Sequence, residues 1–157
     1  MRRQTLLTLA TVATLAACAR RDAPANAADS AIAAATVAPP VAKTPHVRAI
    51  ELGRALDSVT SRISGGVASS YQAGDTIYVS LRTEFVAEGT TLAVRLLRGK
   101  TVVDSIDLKS GSPNAEGLAV VATHFTASNK GWTPGSYRLE VLLNGVSQGL
   151  TDFEIHK

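Results

Sequence analysis

Gly131-Trp132-Thr133-Pro134-Gly135-Ser136-Tyr137-Arg138-Leu139-Glu140-Val141-Leu142-Leu143-Asn144-Gly145 is the stretch that decides the fold. Tyr137, Leu139, Val141 and Leu143 occupy every second position, the period of a strand with one buried face. Asn144-Gly145 follows at once. Both residues accept positive φ, so the pair predicts a type I′ hairpin. The return strand is expected over Val146–Ile155, with Phe153 and Ile155 facing in and Gly149 marking a bulge. Before the first strand, Thr133-Pro134-Gly135 is turn chemistry.

The same period runs back toward the N-terminus. Ile77, Val79, Leu81, Thr83 and Phe85 alternate with Thr76, Tyr78, Ser80, Arg82 and Glu84, and Leu92, Val94 and Leu96 repeat the pattern. Arg98-Gly99-Lys100 turns the chain, with Val102, Ile106 and Leu108 on the return. Leu118 to Phe125 is apolar at both parities, so its buried face stays open. Val47 to Leu56 reads as a strand or a short amphipathic helix. A strand through Ile50 and Leu52 is favoured because Gly53 weakens a helix. A short edge strand is expected near Ile63. Seven or eight short strands with frequent turn signals predict an all-β, antiparallel sandwich over residues 47–157, long enough to bury a core without disulfides.

The segment from Trp132 to Val141 resembles the turn and strand of immunoglobulin-like and fibronectin-type envelope domains, in the form Pro-Gly-x-Tyr-x-apolar-x-apolar. The resemblance implies that the Tyr137 hydroxyl bonds the backbone upstream, as a tyrosine corner. It also puts Leu139 where antibody domains carry their second Cys, and Trp132 as a plug at one end. The domain from Glu51-Leu52-Gly53-Arg54 through Gly74-Asp75-Thr76-Ile77-Tyr78 to Phe153-Glu154-Ile155 is similar to immunoglobulin-like domains of bacterial lipoproteins.

The N-terminus points to the same class. Arg2 and Arg3 precede an apolar run, Thr5 to Ala17, that is too short to span a bilayer of about 30 Å. Leu15-Ala16-Ala17-Cys18 resembles a lipobox, and Cys18 is the only cysteine. The resemblance implies cleavage after residue 17, a diacylglyceryl group on Cys18, and attachment to the bacterial cell envelope. Ala19 stands where retention in the inner membrane commonly uses Asp, so outer-membrane placement is expected. Residues 18–46, rich in Ala and Pro, read as a disordered tether.

Charge and chemistry exclude much. With Arg2, Arg3, Arg20, Arg21 and Lys43 set aside, 11 Lys or Arg and 11 Asp or Glu remain from residue 47 onward. A neutral domain without a basic footprint is not expected to bind nucleic acid. His46, His124 and His156 have no metal-ligand spacing. Asp104 and Asp107, three apart on a strand, point to opposite faces. No nucleophile elbow or phosphate loop occurs. Neither a cofactor, a metal nor a catalytic site is expected, and the domain reads as a non-catalytic interaction or structural module for an envelope protein partner.

If alternate positions face outward, Arg95 and Leu97 join Arg138 and Leu142 on one mixed face, a candidate interaction surface. Two other readings have their own candidates. A polysaccharide- or peptidoglycan-binding module would use Tyr71, Tyr78 and Trp132. A protease-inhibitor-like sandwich would present the loop Ser110–Gly117. The anchor reading has a direct consequence: Cys18→Ser should abolish lipid labelling and leave the protein soluble or unprocessed. A processed Cys18→Ser chain that still fractionates with membranes would contradict it.

Overall fold

A computed structural model describes residues 43–157. The expected signal segment 1–17, the lipid site Cys18 and the tether up to residue 42 lie outside the described residues. The strands are β1 (His46–Gly53), β2 (Ala55–Asp57), β3 (Arg62–Ser64), β4 (Ser70–Gln72), β5 (Ile77–Glu84), β6 (Thr91–Arg98), β7 (Thr101–Lys109), β8 (Leu118–Phe125), β9 (Gly135–Leu143) and β10 (Val146–His156). They form a three-stranded sheet β1-β5-β8, a five-stranded sheet β4-β10-β9-β6-β7, and a ribbon β2-β3. Every pairing is antiparallel except β4 with β10.

The two large sheets share one core. Leu52, Ile77, Val79, Leu81 and Phe125 come from the first, and Leu92, Val94, Leu96, Leu139, Val141, Phe153 and Ile155 from the second. These are the alternating positions that the period of two selects. Asn144 and Gly145 both have positive φ, at 50° and 82°, as the I′ hairpin requires. The bulge beside Gly149 is present: the register slips between Ser147 and Gly149, leaving Gln148 as the extra residue.

The aromatic residues gather at one end. Tyr137 stacks on Phe153 at 5.7 Å, Phe153 meets Tyr71 edge-on at 5.4 Å, and Trp132 lies edge-on to Tyr137 at 6.4 Å. The Tyr137 hydroxyl donates to the Thr133 carbonyl at 2.9 Å. The Trp132 indole N–H donates to the Asp75 carbonyl at 2.8 Å. Both polar tips thus find backbone acceptors while their rings pack on the core.

Three local expectations need correction. Phe85 does not continue the inward row: it follows the end of β5 with a φ of 56°, and Val86 takes the buried place. Val102 is exposed because the edge strand β7 bulges between its pairs to Leu96 and Leu97. The short strand expected near Ile63 is β3, an edge of the two-stranded ribbon β2-β3. Asp57 builds the turn of that ribbon by accepting from the amides of Val59 and Thr60 at 2.9 and 2.8 Å, which holds its carboxyl below the usual range. The strand count also rises to ten among the described residues, eight in the two sheets and two in the ribbon. The ribbon and the short β4 are too brief to show a period.

Tyr71 is fully buried, and its burial pushes the hydroxyl up to about 12. In the unfolded chain a tyrosine ionises near pH 10. Between those values the unfolded state has lost a proton that the folded state keeps. Stability should therefore fall as pH rises from about 10 to 12, by about 1.4 kcal/mol per unit. Denaturant titrations across that window should show the slope in the native protein and a shallower one in Tyr71→Phe.

Candidate functional site

The four residues expected to form a mixed outward face do come together. In the register of β6, β9 and β10, Leu97 lies opposite Arg138, Arg95 opposite Glu140, and Arg138 opposite Asp152. Their chemistry differs from the expectation. Leu142 is only 5% exposed. Its strand is flanked on both sides, and cross-strand packing takes it out of solvent although it sits at the outward parity. Leu97 is half-buried. Arg138 forks onto Asp152 at 2.6 and 3.2 Å, and Arg95 reaches Glu140 at 3.8 Å. The guanidinium holds the Asp152 carboxyl below its ordinary range. This face therefore satisfies its own charges and presents no leucine pair.

The other expected residues fall as follows. Tyr71 is buried, Trp132 is part-buried with its N–H committed to Asp75, and Tyr78 is half-buried beside His124 at 5.7 Å. His46 pairs with Glu84 at 3.7 Å. Among the described residues no group of three or more His, Cys, Asp or Glu could hold a metal. Asp104 is in register with the inward Leu96 and Asp107 with Ala93, on opposite faces.

A different surface is hollowed. The ribbon β2-β3 lies over the outer face of the three-stranded sheet. Ser80 on β5 donates its hydroxyl to the Ser61 carbonyl at 2.8 Å, and Ile63 packs so closely on Gly53 that a Cβ there has no room. On the far side, the loop between β7 and β8 is held by Asn114, whose side chain accepts from the amides of Glu116 and Leu118 at 3.0 and 2.9 Å. Ser110, at the start of that loop, is buried. A groove of about 490 Å³ results, lined by Arg48, Arg62, Arg82, Ser112, Asn114 and Leu118 to Val120.

Each arginine arrives by a different route. Arg48 is the extra residue of a bulge in β1, where the register slips between Val47 and Ala49, and a bulge re-aims a side chain. It reaches Glu84 at 3.4 Å. Arg82 stands on the central strand β5, ion-paired with Glu51 at 2.9 Å, and its Nε is buried without a partner among the described residues. Arg62 belongs to the ribbon and makes no ion pair within 4.0 Å among the described residues. Leu118 and Val120 take the outer parity of β8, while Ala119, Val121 and Phe125 face the core. Sequence reasoning missed this groove. The one available signal was the doubly apolar run Leu118 to Phe125, whose second face supplies Leu118 and Val120 to its floor.

Strand order, tyrosine corner and shared core define an all-β domain of immunoglobulin-like type. No family model matches the chain, and no curated protein matches it. Among solved structures it is similar to an immunoglobulin-like protein from Pseudomonas aeruginosa, at 18% identity over 72% of this chain and 97% of that one, with a TM-score of 0.48. A Pseudomonas fluorescens alkylpurine DNA glycosylase matches at 14% identity, over 72% of this chain and 30% of that one, with a TM-score of 0.45. A Listeria innocua β-glucosidase matches at 11%, over 69% and 16%, with a TM-score of 0.43.

The two leucines should now separate experimentally. Leu142→Ser should cost about 2–4 kcal/mol in chemical denaturation, as expected for a polar group placed at a buried position. Leu97→Ser should cost clearly less. Equal small losses would restore Leu142 to the surface.

Proposed function

We propose that the chain is a non-catalytic envelope lipoprotein: Cys18 carries the lipid, the segment from there to β1 acts as a tether, and an immunoglobulin-like β-sandwich serves as a protein-interaction module. β1 begins at His46, which shortens the expected tether of 18–46 by one residue. The observation that supports the binding half of this reading is the groove on the three-stranded sheet. It is concave, floored by Leu118 and Val120, and rimmed by Arg48, Arg62 and Arg82. Protein interfaces favour arginine and apolar anchors in such settings, and the recognition surface is accordingly placed here rather than on Leu97 and Leu142. A polysaccharide module finds less support, because stacking on sugars needs exposed aromatic faces and Tyr71 and Trp132 are engaged internally. The loop Ser110–Gly117 contributes Ser112 and Asn114 to the groove wall, which favours a wall over an inhibitory protrusion.

A photo-crosslinking residue at position 62 or 112 should yield a discrete adduct in intact cells, and one at the exposed hairpin residue Val146 should not. Cys18→Ser should weaken the adduct by removing the protein from its membrane. Equal adducts at the groove and at Val146, or none at either, would overturn the reading.

A further inference from the structure

We infer that the groove recognises an acidic, aliphatic peptide segment of the partner, its carboxylates on the arginines and an apolar side chain on Leu118 and Val120. The inference rests on the interaction reading above and names the chemistry of its ligand. The arginines do not belong to one strand. Arg48 comes from β1, Arg62 from β3 and Arg82 from β5, so the positive charge is spread along the groove. Spread guanidiniums suit a ligand with several separate carboxylates better than one compact phosphate, and guanidinium geometry matches carboxylates bidentately.

The groove's own carboxylates bear on the charge balance. Glu51 pairs with Arg82 at 2.9 Å, and Glu84 is shared by Arg48 and His46 at 3.4 and 3.7 Å. Asp57 lies across the ribbon from Arg62 in register, but its carboxylate accepts from the turn amides of Val59 and Thr60. Arg62 faces this ionised carboxylate across the ribbon but makes no ion pair with it within 4.0 Å, so among the described residues its guanidinium keeps its donors for a ligand. Arg48 has a long, exposed contact, its side chain 56% accessible. Arg82 is incompletely satisfied, since its Nε has no acceptor among the described residues. Two carboxylates already sit on this cluster, and they show the kind of group that its guanidiniums accept. Ser112 adds a hydroxyl, and Asn114, its Oδ1 committed to the amides of Glu116 and Leu118, adds a side-chain NH2 suited to the carbonyls of an extended backbone.

The floor explains why the ligand carries apolar residues as well as charge. Leu118 and Val120 present an aliphatic strip beside the charges, and a purely ionic ligand would leave it wet. The combination of apolar floor and charged rim selects sequences in which Asp or Glu alternates with Leu, Ile or Val.

The test uses the full chain anchored in phosphatidylcholine vesicles and a fluorescein-labelled peptide of alternating Asp and Leu. Its Asn/Leu counterpart, inorganic phosphate and vesicles of phosphatidylcholine with phosphatidylglycerol serve as competitors. Anisotropy at low salt should report binding that weakens as salt is raised. Arg62→Gln should weaken it about tenfold, because among the described residues Arg62 holds no ion pair whose loss could perturb the fold, and Arg62→Lys should recover part of the loss. Arg138→Gln, on the other sheet, should leave binding unchanged. Failure of the native protein to bind, equal binding of the Asn/Leu peptide, or unchanged affinity in Arg62→Gln would overturn the inference. So would displacement of the peptide by phosphate or vesicles at lower concentration than by unlabelled peptide, which would make the groove a phosphate or headgroup site. Crosslinks at position 62 in cells without peptide binding would sink the acidic ligand and leave the interaction module standing. Peptide binding without cellular crosslinks would do the reverse.

Discussion

The chain passes from one sheet to the other between Phe125 and Gly135, and two aromatic residues hold that passage. Trp132 gives its indole N–H to Asp75, just ahead of β5, while its own amide bonds the Ala73 carbonyl at 2.7 Å. Five residues later the Tyr137 hydroxyl closes back onto Thr133. Together these bonds set the separation of the sheets at this end and the angle at which β9 enters the larger one. Each bond removed from a buried setting would cost about 1–3 kcal/mol, and the register of β9 with β6 and β10 depends on the entry that they define.

From that clamp the packing spreads outward. Tyr137 leads to Phe153, Phe153 to Tyr71, and Tyr71 belongs to β4, the short strand that runs parallel along β10. Arg54 lies over the Tyr71 ring at 5.6 Å and bonds Asp75, tying the end of β1 to the same cluster. Aromatic pairs of this kind contribute about 0.5–1.5 kcal/mol each beyond the area they bury. The surface ion pairs, such as Arg138 with Asp152, weigh less, because water and salt screen them. The groove lies on the opposite side of the smaller sheet from the core. Its arginines can vary without disturbing the aromatic cluster.

Legibility in the sequence followed the regularity of the physics. Ile77, Val79 and Leu81, or Leu139, Val141 and Leu143, declare one buried face because a strand repeats every two residues. Asn144-Gly145 declares its turn because few residue pairs tolerate two positive φ angles. Leu142 misled because parity distinguishes inward from outward but not exposed from covered. Phe85 misled because the period says nothing about where a strand stops. The ribbon was nearly invisible, since three-residue strands carry no period. The groove had to be missed, because Arg48, Arg62 and Arg82 are up to 34 positions apart and converge only through a bulge, a ribbon and a central strand. Leu118 to Phe125 held the hint in its second apolar face.

The direction of the strands has a mechanical consequence. β1 begins at His46 beside Glu84, the end of β5, whereas β10 finishes at His156 beside Gln72, at the aromatic end. The two ends of the folded region therefore lie at opposite poles of the molecule. Tension applied between them runs parallel to β1 and β10 rather than across them. The hydrogen bonds of β1 with β5, and of β10 with β4, would then be loaded side by side in shear, so that they must fail together instead of peeling apart singly. A pull along the length of the domain therefore meets both sets of bonds at once.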